Sequence, residues 1–284
     1  MRFILPVTLY NMSRWIGGTI ESIRKQTHAD FRCLIGDDLS TDDGAAVARR
    51  TIDGDGRFEV ITHVEKMHSL GNIATLIELA RPADDDVIVL VDGDDYLAHE
   101  NVLKTLADIY NRQGCWLTYG SFRRTDRTEK DAVCREYSPR TIAKARYRRV
   151  DWRASHLKTF LYKLWRRIRP DAFTVTEAEL ARAVRRALLT GRIRYWLNWR
   201  KIRLADLLDS TGRFVRRPSD KAIMYPVLEM AGPKAFFVEE ILYLYNRYPQ
   251  DPLFPVSKPE QKWHKRCLPD ILEHKPRYAR LTGL

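Results

Sequence analysis

The sequence predicts an α/β fold: a doubly wound, mostly parallel sheet with flanking helices, joined to a basic helical region. Three observations carry this expectation. Apolar runs of strand length alternate with helix-period segments through residues 3–119. One of them, Val87–Val91, contains no polar residue, the habit of a strand covered on both faces. Two strand ends run into acids, Asp37-Asp38 and Asp92-Gly93-Asp94-Asp95, and ligands of open α/β sheets gather outside the carboxyl ends of strands.

The elements follow in order. Residues 3–9 form the first strand, ending at Thr8-Leu9-Tyr10-Asn11. Ser13 is placed to cap a helix in which Ile16, Ile20 and Ile23 recur at helical spacing. Phe31–Ile35 is the second strand and leads into Gly36-Asp37-Asp38-Leu39-Ser40-Thr41-Asp42. An Ala-rich helix reaches Arg50, and a strand lies near Phe58–Thr62. Gly71-Asn72 opens a helix with Ile73, Leu76, Ile77 and Ala80 along one face. After Val87–Val91, Asn101 begins a helix carrying Val102, Leu103, Leu106 and Ile109, and Cys115–Tyr119 is a further strand. Leu157, Phe160, Leu161 and Leu164 recur at helical spacing among basic residues, so a helix with one apolar and one basic face is expected there. Thr176-Glu177-Ala178-Glu179 is a capping box that starts another helix. A last one spans Lys221–Met230, with Asp220 in position to cap it.

Bulk properties narrow the class. At 284 residues and 44% apolar content the chain can bury a sizeable core. No apolar run is long enough to cross a bilayer, and the start lacks a small-residue cleavage site, so residues 3–9 read as a strand and not a signal peptide. Cys33, Cys115, Cys134 and Cys267 form no CxxC pair and no metal-finger spacing, which suggests reduced thiols and a cytoplasmic setting. The positive charge is local: residues 140–203 hold 19 Lys and Arg against 4 Asp and Glu, enough to account for the whole chain's +12.

Clustered carboxylates repel one another unless a cation lies among them, and a hard divalent ion bridging phosphate oxygens suits Asp92, Asp94 and Asp95. Gly93 lets the backbone turn sharply between them. The plainer alternative is an acidic turn that caps the next helix. In a βαβ series, however, Thr8, Asp38 and Asp92–Asp95 all fall on one sheet edge.

These residues carry a resemblance. Thr8-Leu-Tyr-Asn11, the helix end Ile20-Glu-Ser-Ile-Arg-Lys-Gln-Thr27, Asp37-Asp38-Leu-Ser-Thr-Asp42 and Asp92-Gly-Asp-Asp95 resemble, in order and spacing, the family 2 glycosyltransferases of GT-A fold. The likeness resumes in Ser219–Glu229 and in Ile241-Leu-Tyr-Leu-Tyr-Asn246. It implies inverting transfer of a sugar from a nucleotide-diphosphate donor, with a UDP-sugar as the default, to an acceptor hydroxyl, assisted by Mn²⁺ or Mg²⁺. It also implies three units: a nucleotide-sugar-binding half at 1–125, a basic helical region with an insert of about 30 residues at 126–212, and an acceptor-side, catalytic-base segment with the C-terminal tail at 213–284. Carried over by position, Thr8 and Asp38 contact the nucleobase, Asp92 the ribose, and Asp94 or Asp95 the metal. Tyr10, Asn11 and Asn72 join the donor side, with His68 on the same rim. Asp220 stands where the family places its catalytic base, with Glu229 and Glu239 as fallbacks.

The acceptor is sought in the basic region, with His156, Arg153, Lys158, Trp196 and Trp199 as its candidate contacts. Arginines beside aromatics suit nucleic acid, where guanidinium meets phosphate and rings stack on bases. A hydroxymethylated base in DNA is therefore the favoured acceptor, reached by flipping or distortion. An anionic membrane face presenting a lipid-linked or envelope polysaccharide acceptor is the first rival, through peripheral contact. A non-catalytic nucleic-acid-binding protein on the same scaffold is the second, opposed by three intact acidic motifs. A pyrophosphorylase needs a Gly-rich loop after the first strand, which Thr8-Leu-Tyr-Asn11 is not. No obligate protein partner is evident.

Overall fold

The computed structural model describes residues 1–131, 133–246 and 261–282, the side chains of 261 and 262 excepted. Along the chain come β1 (Phe3–Leu9), α1 (Ile16–Arg24), β2 (Phe31–Asp37), α2 (Gly44–Ile52), β3 (Phe58–Thr62), α3 (His68–Ala80), β4 (Val87–Asp92), β5 (Tyr96–Leu97), α4 (Val102–Gln113) and β6 (Leu117–Arg124). Then follow α5 (Pro139–Ala143), β7 (Lys158–Leu161), α6 (Tyr162–Trp165), α7 (Glu177–Leu189), α8 (Ile193–Trp199), α9 (Leu204–Leu207), α10 (Ser219–Ala231), β8 (Ala235–Tyr245) and α11 (Gln261–Glu273).

The strands make one sheet in the order β3-β2-β1-β4-β7-β6-β8-β5. β3, β2, β1 and β4 run parallel, and their register sets Thr8 beside both Gly36 and Asp92, and Leu9 beside Asp37. The expected sheet edge therefore exists. β7 is antiparallel to both β4 and β6, while β8 is parallel to β6 and antiparallel to β5. Alternate β1 residues feed opposite faces: Phe3, Leu5, Val7 and Leu9 join one core cluster and Ile4 the other. Val87–Val91 is buried throughout, each aliphatic side chain contributing roughly 1.5–3 kcal/mol.

Several local expectations are corrected. The 157–164 stretch is not one helix: β7 occupies Lys158–Leu161 and only Tyr162–Trp165 is helical. All four β7 residues are buried because the strand lies mid-sheet, and a short apolar run buried on both faces mimics a helix period. The strand expected at Cys115–Tyr119 runs from Leu117 to Arg124. Ser13 does not cap α1, which starts at Ile16; its N–H donates to Asp42 at 2.9 Å. α3 begins at His68, ahead of Gly71, because Asp38 accepts the backbone N–H of Met67 (2.6 Å) and of His68 (3.0 Å), satisfying donors that a helix start leaves open. The Thr176–Glu179 capping box forms as read.

The basic region packs as helices. α7 buries Leu180, Ala183 and Ala187 and exposes Arg182 and Arg185, while α8 turns Trp199 into the core. Among the described residues, no helix is long and apolar enough to cross a membrane. All four cysteines are free and buried, and burial pushes the Cys134 thiol up to about 11 and the Cys115 thiol up to about 12.

Candidate active site

The site is built where β4 ends. A Cβ on Gly93 would collide with the Thr8 carbonyl, so only glycine lets the acidic turn lie against β1. The Gly93 N–H donates to that carbonyl at 3.0 Å, and Thr19 Oγ1 donates to the Gly93 carbonyl at 2.9 Å. β8 closes the other side, since it pairs with β5 immediately after the turn. Asn246 thereby donates its N–H to Asp95 Oδ1 at 2.7 Å and its side-chain amide to the Asp94 carbonyl. Tyr243 accepts the Asp92 N–H at 3.0 Å.

His156, just before β7, stacks on Tyr243 with ring centroids 4.6 Å apart and meets Phe122 edge-on. Two residues on, Lys158 is buried, and its Nζ donates to Asp220 Oδ1 and lies 3.5 Å from His156 Nε2. Asp220 sits in the first turn of α10 and caps nothing; its side chain is 47% exposed and belongs to the Lys158 pair. The packed surroundings push the Asp220 carboxyl up, but the Lys158 charge and hydrogen bond outweigh them and hold it below the usual carboxylate range. Burial, reinforced by Lys158, pushes His156 down to about 3, leaving a neutral imidazole with a lone pair to offer.

At the ends of β1 and β4, Thr8 bonds to Asp92. Asp38 is buried, with both oxygens on the loop before α3 and Lys66 Nζ at 3.2 Å. Lys66 also stands 2.8 Å over the ring of Tyr10, which is 44% exposed. Asn11 accepts the Thr41 N–H at 2.7 Å and donates its own N–H to Ser40 at 3.0 Å, tying the loops after β1 and β2 together. Asn72 lies beneath the edge and not on it. It is 1% exposed, donates to the Gly36 carbonyl at 2.7 Å and meets His63 at 2.9 Å, so it braces β2 instead of lining the rim.

The acceptor candidates divide. Lys158 and His156 are buried beside Asp220, and Arg153 is half-buried against Tyr137 and the Glu136 carbonyl. Trp199 is 1% exposed and packs in the core, which removes it as a contact, and half-buried Trp196 carries Arg200 on its ring at 4.9 Å. Neither fallback base is free. Glu229 is buried in a bidentate pair with Arg148, and Glu239 lies out on β8 with Lys130. Sequence reasoning missed Tyr243, Asn246 and Lys66, although the Tyr243/Tyr245 alternation on β8 was a signal that both rings share one face.

A divalent cation fits these residues. Asp92, Asp95 and His156 each present one ligand atom, all within 4.8 Å of one another, whereas Asp94 stands outside that group. Ligands about 2.0–2.4 Å from one ion on opposite sides are separated by about that span. Among the described residues, Asp95 Oδ2 and His156 Nδ1 are buried without a hydrogen-bond partner, as cation ligands would be. Burial raises all three carboxyls, joined by repulsion from Asp220 at Asp92 and from the neighbouring acids of the turn at Asp94 and Asp95, which reach about 7 and about 9. Folded-state pKa values above the unfolded ones mean that the folded chain holds extra protons, so stability falls as pH rises from the ordinary carboxylate range through 7 and 9. The metal-free protein should therefore melt lower at pH 9 than at pH 6. Saturating Mn²⁺ at pH 8 should raise Tm by roughly 5–10 °C, and a Tm indifferent to Mn²⁺ would count against the cluster.

With the geometry in place, the comparisons are informative. A model of the family described as Glycosyl transferase family 2 matches residues 6–168. No curated protein matches the sequence. Among solved structures, S. aureus TarS 1-349 in complex with UDP-GlcNAc is similar at TM-score 0.56 and 13% identity, over 90% of this chain and 61% of that one. The mannosyltransferase PcManGT from Pyrobaculum calidifontis, in complex with GDP-Man and Mn²⁺, is similar at TM-score 0.52 and 14% identity, over 88% of this chain and 58% of that one. This chain thus spans about six tenths of the length of either, and at such identity the likeness establishes the fold.

Proposed function

The chain belongs to glycosyl transferase family 2, and on that premise we propose that it moves a sugar from a nucleoside-diphosphate donor to an acceptor hydroxyl, inverting the anomeric carbon. The observation that carries the reading is the meeting of Asp92, Asp95 and His156 with the Lys158–Asp220 pair at one end of the sheet. A divalent cation bound at the cluster would neutralise the departing diphosphate. Asp92, Asp95 and His156 would hold it, and an imidazole in the set favours Mn²⁺ over Mg²⁺. Thr8, Asp38 and Tyr10 line the donor side, and both UDP and GDP donors suit it in view of the ligands the similar structures hold.

Asp220 takes the acceptor proton as the hydroxyl oxygen bonds to the anomeric carbon and the carbon–diphosphate oxygen bond breaks. Lys158 keeps that carboxylate ionised before attack. Lys158→Met should therefore move the acid limb of the kcat/KM profile to higher pH, because the cation that holds Asp220 down is gone. An unmoved limb would separate Lys158 from the base.

For the acceptor we infer a polyanion, with a hydroxymethylated DNA base as the favoured form. The support is charge, in exposed Arg182, Arg185, Arg194, Arg200 and Lys201 on and beside α7 and α8, since Trp199 is withdrawn into the core. The test is transfer from UDP- and GDP-sugars with Mn²⁺ to hydroxymethylated duplex DNA, with the product anomer read by NMR. An inverted product supports the reading. DNA affinity that is weak and indifferent to salt would remove the nucleic-acid acceptor.

A further inference from the structure

At the start of α10 lies a pocket of about 150 Å³ lined by His68, Arg216, Arg217, His264 and Lys265, with Asp206 as its only acidic lining residue among the described residues. Asp206 is already engaged by Arg203, through the Arg203 N–H at 2.9 Å and the guanidinium at 3.1 Å. Among the described residues, Arg217 and Lys265 have no ion-pair partner, and Arg216 bonds only to backbone, through its guanidinium to the Leu208 carbonyl. The positive groups feel one another: burial first and then Arg217 lower Lys265, and burial first and then Arg216 lower His68. Concentrated like charge without counter-charge is a standing cost that a bound anion removes.

The position of the pocket is as informative as its charge. Arg216 and Arg217 lie three and two residues before Ser219, the first residue of α10, with Pro218 between. Ser69, next to His68, approaches Ser219 to 3.2 Å, which brings the start of α3 against the first turn of α10 that carries Asp220. A second pocket, of about 540 Å³, shares Asp206 and His264 with the first and adds Lys201, Arg203 and Trp263, leading away toward α8. The smaller volume lies below the roughly 300 Å³ at which drug-sized ligands begin, and suits a single compact anionic group.

We propose that this pocket is a phosphate subsite for the acceptor: it holds a phosphate ester of the acceptor chain and thereby presents a hydroxyl to Asp220. The inference rests on the glycosyltransferase reading above. Arg217 and Lys265 anchor the phosphate, and the larger pocket receives the continuing chain.

The test is titration of inorganic phosphate, a 12-nucleotide phosphodiester oligomer and phosphatidylglycerol vesicles into the full chain and its Arg217→Ala/Lys265→Ala variant. Affinity for UDP and GDP with Mn²⁺ is measured in parallel. Both residues are exposed, so the variant should fold, and Lys104→Ala/Arg112→Ala, two exposed residues of α4, removes the same charge elsewhere as a control. Phosphate affinity should fall at least tenfold in the pocket variant and less than twofold in the control, with nucleotide affinity unchanged. Loss of oligomer binding alone, or of vesicle binding alone, supports the subsite and names the carrier of the phosphate. Equal phosphate affinity in wild type and both variants overturns the proposal. So does a parallel loss of nucleotide affinity, which would make the pocket part of the donor site, and so does phosphate binding with neither carrier bound. Failure of the glycosyltransferase reading shows separately, as no Mn²⁺-dependent nucleotide binding in the wild type while phosphate still binds.

Discussion

Asp220→Asn should lower turnover by roughly 10²- to 10⁴-fold while leaving nucleotide affinity unchanged. The amide keeps the size and much of the polarity of the side chain but cannot take a proton. The effect should lie in kcat because the proton moves only during attack. Asp220 is the only member of the Asp220, Glu229 and Glu239 set that is half exposed beside the cluster. Glu229 is consumed by Arg148 and the Tyr278 N–H, and Glu239 points away with Lys130. Near-normal turnover would therefore remove base catalysis from all three.

The second large effect is expected at Asp92. Asp92→Asn withdraws one charged ligand from the Asp92, Asp95 and His156 group and should cost both nucleotide affinity and turnover, the latter by roughly 10²-fold or more. Excess EDTA should reproduce the loss in the wild type, and Mn²⁺ should restore it. Asp94→Ala separates the carboxylates: Asp94 stands outside the group, so a loss as deep as that of Asp92→Asn would enlist it as a ligand in the donor complex. Transfer that persists in EDTA would exclude a required cation.

The sheet edge was legible in the sequence because strand-end acids announce themselves twice, at Asp37-Asp38 and at Asp92–Asp95. Parallel strands in series then place such ends together without further information. β7 was not legible as a strand. Its residues are buried on both faces, so Leu157, Phe160, Leu161 and Leu164 satisfied a helical period that mid-sheet burial explains equally well. The partnership of Lys158 with Asp220 spans 62 residues and depends on β7 lying beside β4, which no local pattern encodes. Asp220 read as the base through the resemblance and, compatibly, as a helix cap; in the structure it does not cap α10 and pairs with Lys158 instead. Trp199 read as a stacking surface because aromatics among arginines look alike in sequence whether they face solvent or core.

The central claim is that Asp92, Asp95 and His156 bind a nucleoside diphosphate through a divalent cation. Calorimetric titration of UDP and of GDP into the wild type and Asp92→Asn, each with Mn²⁺ and again with EDTA, tests it most directly. Binding of at least one nucleotide by the wild type with Mn²⁺, at least tenfold weaker in EDTA and in Asp92→Asn, is the expected result. Equal affinity under all four conditions would contradict it.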